Sequence, residues 1–182
     1  MSILVILEQQ AGVWHKMSWE ALAAGIEMGK ALGRPVVAAV LGDGIEALET
    51  ELAGYAVERV VSLRHPLLAE YTPDGYTAAL DPVIRGLSPA VVVLPHTYQV
   101  RDFGPKLAAA LDRSFLSDVI GFRVEGGAPV FVRQLFQGKM NADVVFADDP
   151  PHFVSVQAGA FRADQLQPAA TAAPVERPVV AL

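Results

Sequence analysis

The sequence predicts an α/β fold, a parallel sheet with helices on both faces plus an antiparallel β-hairpin appendage, on three observations. Short apolar runs at residues 3–7, 36–41, 59–63 and 91–94 are rich in β-branched residues and too brief for helices, as expected of strands buried on both faces. Each is followed by a stretch with apolar residues at helical spacing, and this β-α alternation is the pattern of a helix-covered parallel sheet. From Leu116 onward the pattern changes. Strand-like runs then follow one another with only Gly and Pro turns between them, which signals hairpins.

Residues 3–7 open the sheet, and residues 8–17 read as a loop in which Trp14 packs over the sheet edge. Ser18 is the expected N-cap of the first helix. Trp19, Leu22, Ala23 and Ile26 share one face of it, and Gly33 followed by Pro35 stops it. After the second strand, Gly42-Asp43-Gly44-Ile45-Glu46-Ala47 fits G-x-G-x-x-G/A between a strand and a helix, the context of a dinucleotide fingerprint. Two features oppose that reading: the motif follows the second strand and not the first, and Asp43 with Glu46 resembles a capping box whose carboxylates would repel a pyrophosphate. No acidic residue ends the third strand to hold a ribose. Helix capping by Asp43 is the expectation; Gly42, Gly44 and Ala47 as a cofactor seat are the alternative.

Thr72 caps and Pro73 starts a third helix with a stripe of Tyr76, Leu80, Val83 and Leu87, which Pro82 should kink and Ser88-Pro89 should end. The strand at 91–94 leads into a polar loop at 96–101. A helix then starts at Asp102 or Gly104, with Pro105 in its first turn and Phe103, Leu107, Ala110 and Leu111 on one face. Loops at strand C-termini are where ligands meet open α/β sheets, so His96, Arg101 and Asp102 are well placed for a site. Loop hydrogen bonds and a helix cap are their expected roles. Strands at 118–125, 128–137, 141–147 and 153–157 follow, separated by Gly126-Gly127, Gly138 and Asp148-Asp149-Pro150-Pro151. Residues 1–164 thus form the domain. The Ala-, Pro- and Thr-rich residues 165–182 read as a linker or the start of a further domain.

Composition removes several function classes. Hydrophobic residues make up 52% of the 182 and mean hydropathy is +0.34, but no apolar run approaches the ~20 residues that span a bilayer. A net charge of −6 argues against non-specific nucleic-acid binding. The absence of cysteine excludes disulfides, thiolate nucleophiles and iron–sulfur clusters. The first residues lack a basic n-region and cleavage site, which makes the cytoplasm the expected compartment. His15, His65, His96 and His152 share no metal-ligand spacing, so no metal is expected. There is no H-E-x-x-H, no G-x-S-x-G and no G-x-x-x-x-G-K-[ST], so no catalytic residue is expected and the chain does not read as an enzyme.

The series Ile3-Leu-Val-Ile-Leu-Glu8, Arg101-Asp-Phe-Gly-Pro-Lys-Leu-Ala-Ala-Ala-Leu111, Ser117-Asp118-Val-Ile and Val132-Arg133-Gln-Leu-Phe-Gln-Gly138-Lys resembles the N-terminal domain of the electron-transfer flavoprotein α subunit. The last segment is similar to that family's R-P-[IL]-[YF]-x-G-[NK], with Gln134 where proline is common. Phe153-Val-Ser-Val-Gln157 fits the next strand, with Gln157 where arginine is common. The resemblance covers about residues 1–165. It implies a heterodimer of α and β subunits that carries electrons from flavin dehydrogenases, typically the acyl-CoA dehydrogenases of fatty acid β-oxidation, to a membrane quinone oxidoreductase. In that family FAD sits mainly in a C-terminal domain beyond the linker. It follows that FAD belongs to the complete protein, that none is expected on this chain alone, and that the chain is a scaffold and subunit-interface domain. Interface residues are expected within 118–160 at Arg133, Phe136, Gly138 and Phe153, and the same surface would make a homodimer of the isolated chain. The alternative from a different class is a free-standing nucleotide-binding domain, adenine-nucleotide-hydrolase-like, with residues 42–47 as its phosphate seat.

Overall fold

Nine strands hydrogen-bond into one mostly parallel sheet, and the β-branched runs supply its centre. The computed structural model describes residues 1–182. In chain order the elements are β1 (Ile3–Leu7), β2 (Gln9–Gln10), β3 (Val13–Trp14), α1 (Lys16–Leu32), β4 (Val36–Gly42), α2 (Glu46–Ala53), β5 (Arg59–Arg64), α3 (Pro73–Leu87), β6 (Val91–Pro95), α4 (Tyr98–Ala110), β7 (Phe115–Glu125), β8 (Ala128–Leu135), β9 (Met140–Val144), β10 (His152–Val156) and β11 (Val175–Glu176). The sheet runs β11-β5-β4-β1-β6-β10-β7-β8-β9, and β2 and β3 form a separate antiparallel pair. All pairings from β11 to β7 are parallel; only β7-β8 and β8-β9 are antiparallel.

Alternate residues of each central strand face opposite layers. Val5, Ala38, Val40, Val93 and Val154 lie in a core that includes Leu22 and Met28 of α1 and Leu48 and Leu52 of α2. Leu4, Val37, Val92 and Phe153 face the other core with Tyr76 and Leu80 of α3 and Phe103 and Leu107 of α4. The first layer is drawn tight by glycine. A Cβ on Gly25 would fall 2.2 Å from Val5 Cγ2, and one on Gly29 would fall 2.5 Å from Val36 Cγ2 and 2.9 Å from the Arg34 carbonyl. Alanine in place of a helical glycine gains about 1 kcal/mol of propensity, but overpacking against a stiff, β-branched valine costs about 1–3 kcal/mol. Gly25→Ala is therefore expected to lower stability in urea unfolding. A more stable variant would show that α1 can lift off the sheet.

Several elements begin or end elsewhere than the sequence suggests. The first helix starts at Lys16, because His15 caps it by accepting from the Met17 N–H through Nδ1. Ser18 is not the cap; it is buried and its Oγ bonds both the N–H and the C=O of Glu8, tying α1 to the end of β1. Residues 96–101 are not all loop, since Thr97 caps α4 by accepting from the Val100 N–H at 3.1 Å. Pro105 consequently lies inside the helix rather than in its first turn. Asp43 does not cap α2: the N-cap is Ile45, with no side-chain bond. Thr72 and Gly33 do cap α3 and α1 as expected.

One correction concerns topology. β10 is not the last strand of a hairpin series; it is inserted between β6 and β7, parallel to both. The antiparallel strands accordingly extend the main sheet. Residues 165–182, expected as a linker or the start of a further domain, run along the β5 edge of the sheet. The Ala169 and Ala173 N–H groups donate to the Gly54 and Ala53 carbonyls, Val175 and Glu176 pair with Val60 and Val61 as an edge strand, and Val180 packs against the second core.

Candidate functional site

The β7-β8-β9 end of the sheet is built differently from the rest. Helices press on the sheet as far as β7, and β8 and β9 continue beyond them. The root of this end is anchored, with Phe131 fully buried against Phe122, Val144 and Phe146. Farther out, Phe136 is 71%, Met140 57% and Val145 66% exposed. The turn holding Phe136 runs through left-handed backbone at Phe136, Gln137 and Gly138 (φ +51°, +57° and +83°). Glycine meets that demand at 138, while Phe136 accepts the conformation and is held outward. Of the expected interface residues, Phe136 and Gly138 are exposed at this turn and Arg133 is half-buried on β8 opposite Val119. Phe153 is not a surface residue: it is fully buried in the core beneath α3 and α4, because β10 lies inside the sheet. Met140, at the start of the edge strand β9, and Val145, just past its end, are not evident from the sequence; their signal is apolar side chains at the edge of the sheet.

A second cluster lies at the strand C-termini, near where the chain order reverses between β1 and β6. The Thr97 hydroxyl donates to the Glu8 carboxylate, bridging these two strands. His96 Nδ1 is 2.9 Å from Ser155 Oγ, which also accepts from the Asp118 N–H at 3.3 Å, and His96 Nε2 faces Asp118 Oδ1 at 3.9 Å. A Ser–His–Asp set of this kind invites comparison with a hydrolase, but Ser155 is fully buried. It acts as a brace across β6, β10 and β7. Asp118 takes left-handed backbone (φ +64°) where β7 slips register against β10. Burial chiefly holds the His96 pKa below its ordinary value; Asp118 opposes this, and Arg101 and Arg133 add to it. Arg101 lies 5.4 Å over the ring of Tyr98, and Asp102 accepts from the Tyr71 hydroxyl at 2.7 Å.

Residues 42–47 do not form a phosphate seat. The space a Cβ would take at Gly42 is filled, with Gln9 Nε2 and Ile45 Cγ2 both 2.7 Å away. Gln9 is itself buried and donates to the Leu41 carbonyl at 2.9 Å. Gly44 (φ +63°) faces open space and Ala47 is exposed, but the first turn of α2 carries Glu46 and Glu49. Those carboxylates satisfy the positive helix end and repel an anion. Glu49 is only 1% exposed; Ser62, Arg64 and Arg177 all donate to it, and Arg64 also pairs with Glu46. A cavity of about 380 Å³ between α3 and residues 176–181 is lined by nine hydrophobic residues of 13, and its only charged lining residue is Glu176. Neither place fits the pyrophosphate of FAD or NAD. No helix is long and apolar enough to cross a membrane.

The family model described as the electron transfer flavoprotein domain matches residues 3–182. An electron transfer flavoprotein subunit alpha from Bacillus subtilis is 31% identical over 90% of this chain and 49% of its own length. One of the same name from Syntrophomonas wolfei is 33% identical over 80% of this chain and 45% of its own. An acryloyl-CoA reductase electron transfer subunit beta from Anaerotignum propionicum is 32% identical over 64% of this chain and 32% of its own. The chain thus spans about half the length of the α-subunit relatives it matches. The match along almost the whole chain places it in the electron transfer flavoprotein domain family.

Proposed function

We propose that this chain is the subunit-interface domain of an electron-transfer flavoprotein α subunit, and that it holds the carrier together without supplying a reacting group. The observation that carries this reading is the β7-β8-β9 end, a sheet surface without covering helices that exposes Phe136, Met140 and Val145. Exposed apolar surface of this kind on a sheet edge is completed by another chain. The partner is the β subunit of the same carrier. FAD, which stores the electrons in the assembled carrier, is held outside the residues described here, a reading supported by the filled turn at 42–47. The assembled carrier takes electrons from flavin dehydrogenases and passes them to a quinone oxidoreductase. The name of the Anaerotignum relative supports acyl-CoA chemistry for the donor or acceptor.

Sedimentation of this chain with the electron-transfer flavoprotein β subunit encoded in the same genome tests the proposal, with a 1:1 complex expected. Phe136→Asp should weaken the complex by about 2 kcal/mol or more, while leaving the urea midpoint of the free chain within error, since the ring is 71% exposed. Failure of the wild-type chain to bind the β subunit would overturn the reading.

A further inference from the structure

The cavity between α3 and residues 176–181 lies at the end of the sheet opposite to the β7-β8-β9 meander. Its volume of about 380 Å³ falls in the range of small-molecule sites, about 300–1,000 Å³. β5 contributes Val61 and Leu63 to the lining, and the walls are α3 and residues 176–181. The second wall is fastened in place. Arg177 donates twice to the buried Glu49, at 3.1 and 2.7 Å, and Val180 packs against the core that holds α3 and α4. The cavity is therefore formed before any ligand arrives, and little ordering cost opposes binding.

One backbone group on the α3 wall lacks the partner that a helix normally gives it. Pro82 lies inside α3, and proline has no N–H to donate to the carbonyl four residues back, that of Ala78. Helical carbonyls point toward the residue four ahead, and Ala78 and Pro82 are both exposed and both line the cavity. The unpaired oxygen thus lies at the cavity wall. Neighbouring polar side chains of α3 are used elsewhere: the Thr77 hydroxyl donates to the Pro73 carbonyl, and Arg85 donates to Asp81 and to the Ala110 carbonyl. The one charged lining residue, Glu176, already faces Arg59 Nε at 3.4 Å. What remains is an apolar space with a free acceptor on its helical wall.

We propose that this cavity binds an uncharged, mainly apolar molecule bearing one hydrogen-bond donor, a phenol or an alcohol, with the donor on the Ala78 carbonyl. Charged molecules are excluded because the lining offers them no free counter-ion. A donor is favoured because a molecule without one would strip water from the Ala78 oxygen and leave the bond unreplaced. The site is separated from β9 by the width of the sheet, so it stands independently of the proposed subunit interface.

The test is NMR titration of the full chain with p-cresol, its methyl ether and p-toluate, following the amide signals of Val61, Ala79 and Gly86. Saturable shifts are expected with the first two and none with p-toluate. A Cβ on the exposed, cavity-lining Gly86 would meet nothing within 4 Å, so a larger side chain can enter the cavity without disturbing the helix. Gly86→Leu should accordingly weaken binding about tenfold or more. Ala78→Leu, at another exposed position of the same wall, gives the same expected loss should Gly86→Leu prove poorly folded. Pro82→Ala returns an N–H to the Ala78 carbonyl, so the preference for p-cresol over its methyl ether should fall several-fold. No saturable shift with wild type, or undiminished binding by the folded leucine variants, would overturn the site. An unchanged preference in Pro82→Ala would overturn the role of the Ala78 carbonyl, and binding of p-toluate as tight as that of p-cresol would overturn the uncharged class.

Discussion

Glu49→Ala is expected to lower the unfolding free energy by about 3–5 kcal/mol, a large part of the roughly 5–15 kcal/mol typical of a domain. Glu49 is buried at the start of α2 and accepts from Ser62 and Arg64 on β5 and from Arg177 just beyond β11. Its removal leaves Arg64, Arg177 and Ser62 without their shared acceptor and loosens the tie between α2 and that edge of the sheet. The pH dependence has a definite sign. Burial opposes ionisation of Glu49, but the bonds from Arg64, Ser62 and Arg177 outweigh it and hold the pKa below the ordinary 4.5. The unfolded chain therefore binds this proton more readily, so the stabilisation is complete above about pH 4.5 and is lost as pH falls through the lowered folded value. Glu49→Gln should be less stable at neutral pH and lose less on acidification. Urea unfolding at neutral and acid pH checks both, and a neutral-pH loss below about 1 kcal/mol would show that the cluster contributes little.

Phe153→Ala should cost about 3–5 kcal/mol of stability, since a fully buried ring leaves a cavity that its neighbours fill only partly. Its effect is the opposite of that expected for Phe136→Asp: stability falls and affinity for a partner, measured on the folded fraction, does not. Loss of association without loss of stability would return Phe153 to the interface and contradict its burial.

The alternation of strands and helices is legible because each central strand is buried on both faces and reads as a continuous apolar run, Val91-Val92-Val93-Leu94 most clearly. The caps that sequence identifies, Thr72 and Gly33, act locally. The start of α4 is harder to place because Pro105 looks like a first-turn proline, whereas the cap is Thr97, two turns earlier. The two-residue pair β2-β3 escapes because its turn, Ala11-Gly12, joins strands too short to show alternation. What local pattern does not contain is neighbourhood in the sheet. The run at 152–156 looks the same whether it closes a hairpin or enters the centre, and only its partners β6 and β7 decide that Phe153 is core. The same limit applies to the candidate site. Phe136 can be found from its turn, but the cluster of His96, Ser155 and Asp118 is assembled by strands distant in sequence. Arg177 likewise gives no sign in an Ala- and Pro-rich stretch that its partner is Glu49.

The position of β10 has a consequence for how the chain is made. During synthesis β6 emerges before β7, β8 and β9, yet its permanent neighbour on that side is β10, which comes last of the five. The nascent β7-β8-β9 meander can form by itself, but it has no correct berth until residues 152–156 leave the ribosome. Until then β6 offers an open edge with apolar faces, and β7 is the nearest strand able to occupy it wrongly. Non-local parallel pairing of this kind is slow and leaves edges exposed to other chains. Ribosome-stalled chains ending just before His152 should therefore engage chaperones more than chains long enough to expose Val156, and the last strand into the gap sets the order in which the rest can become final.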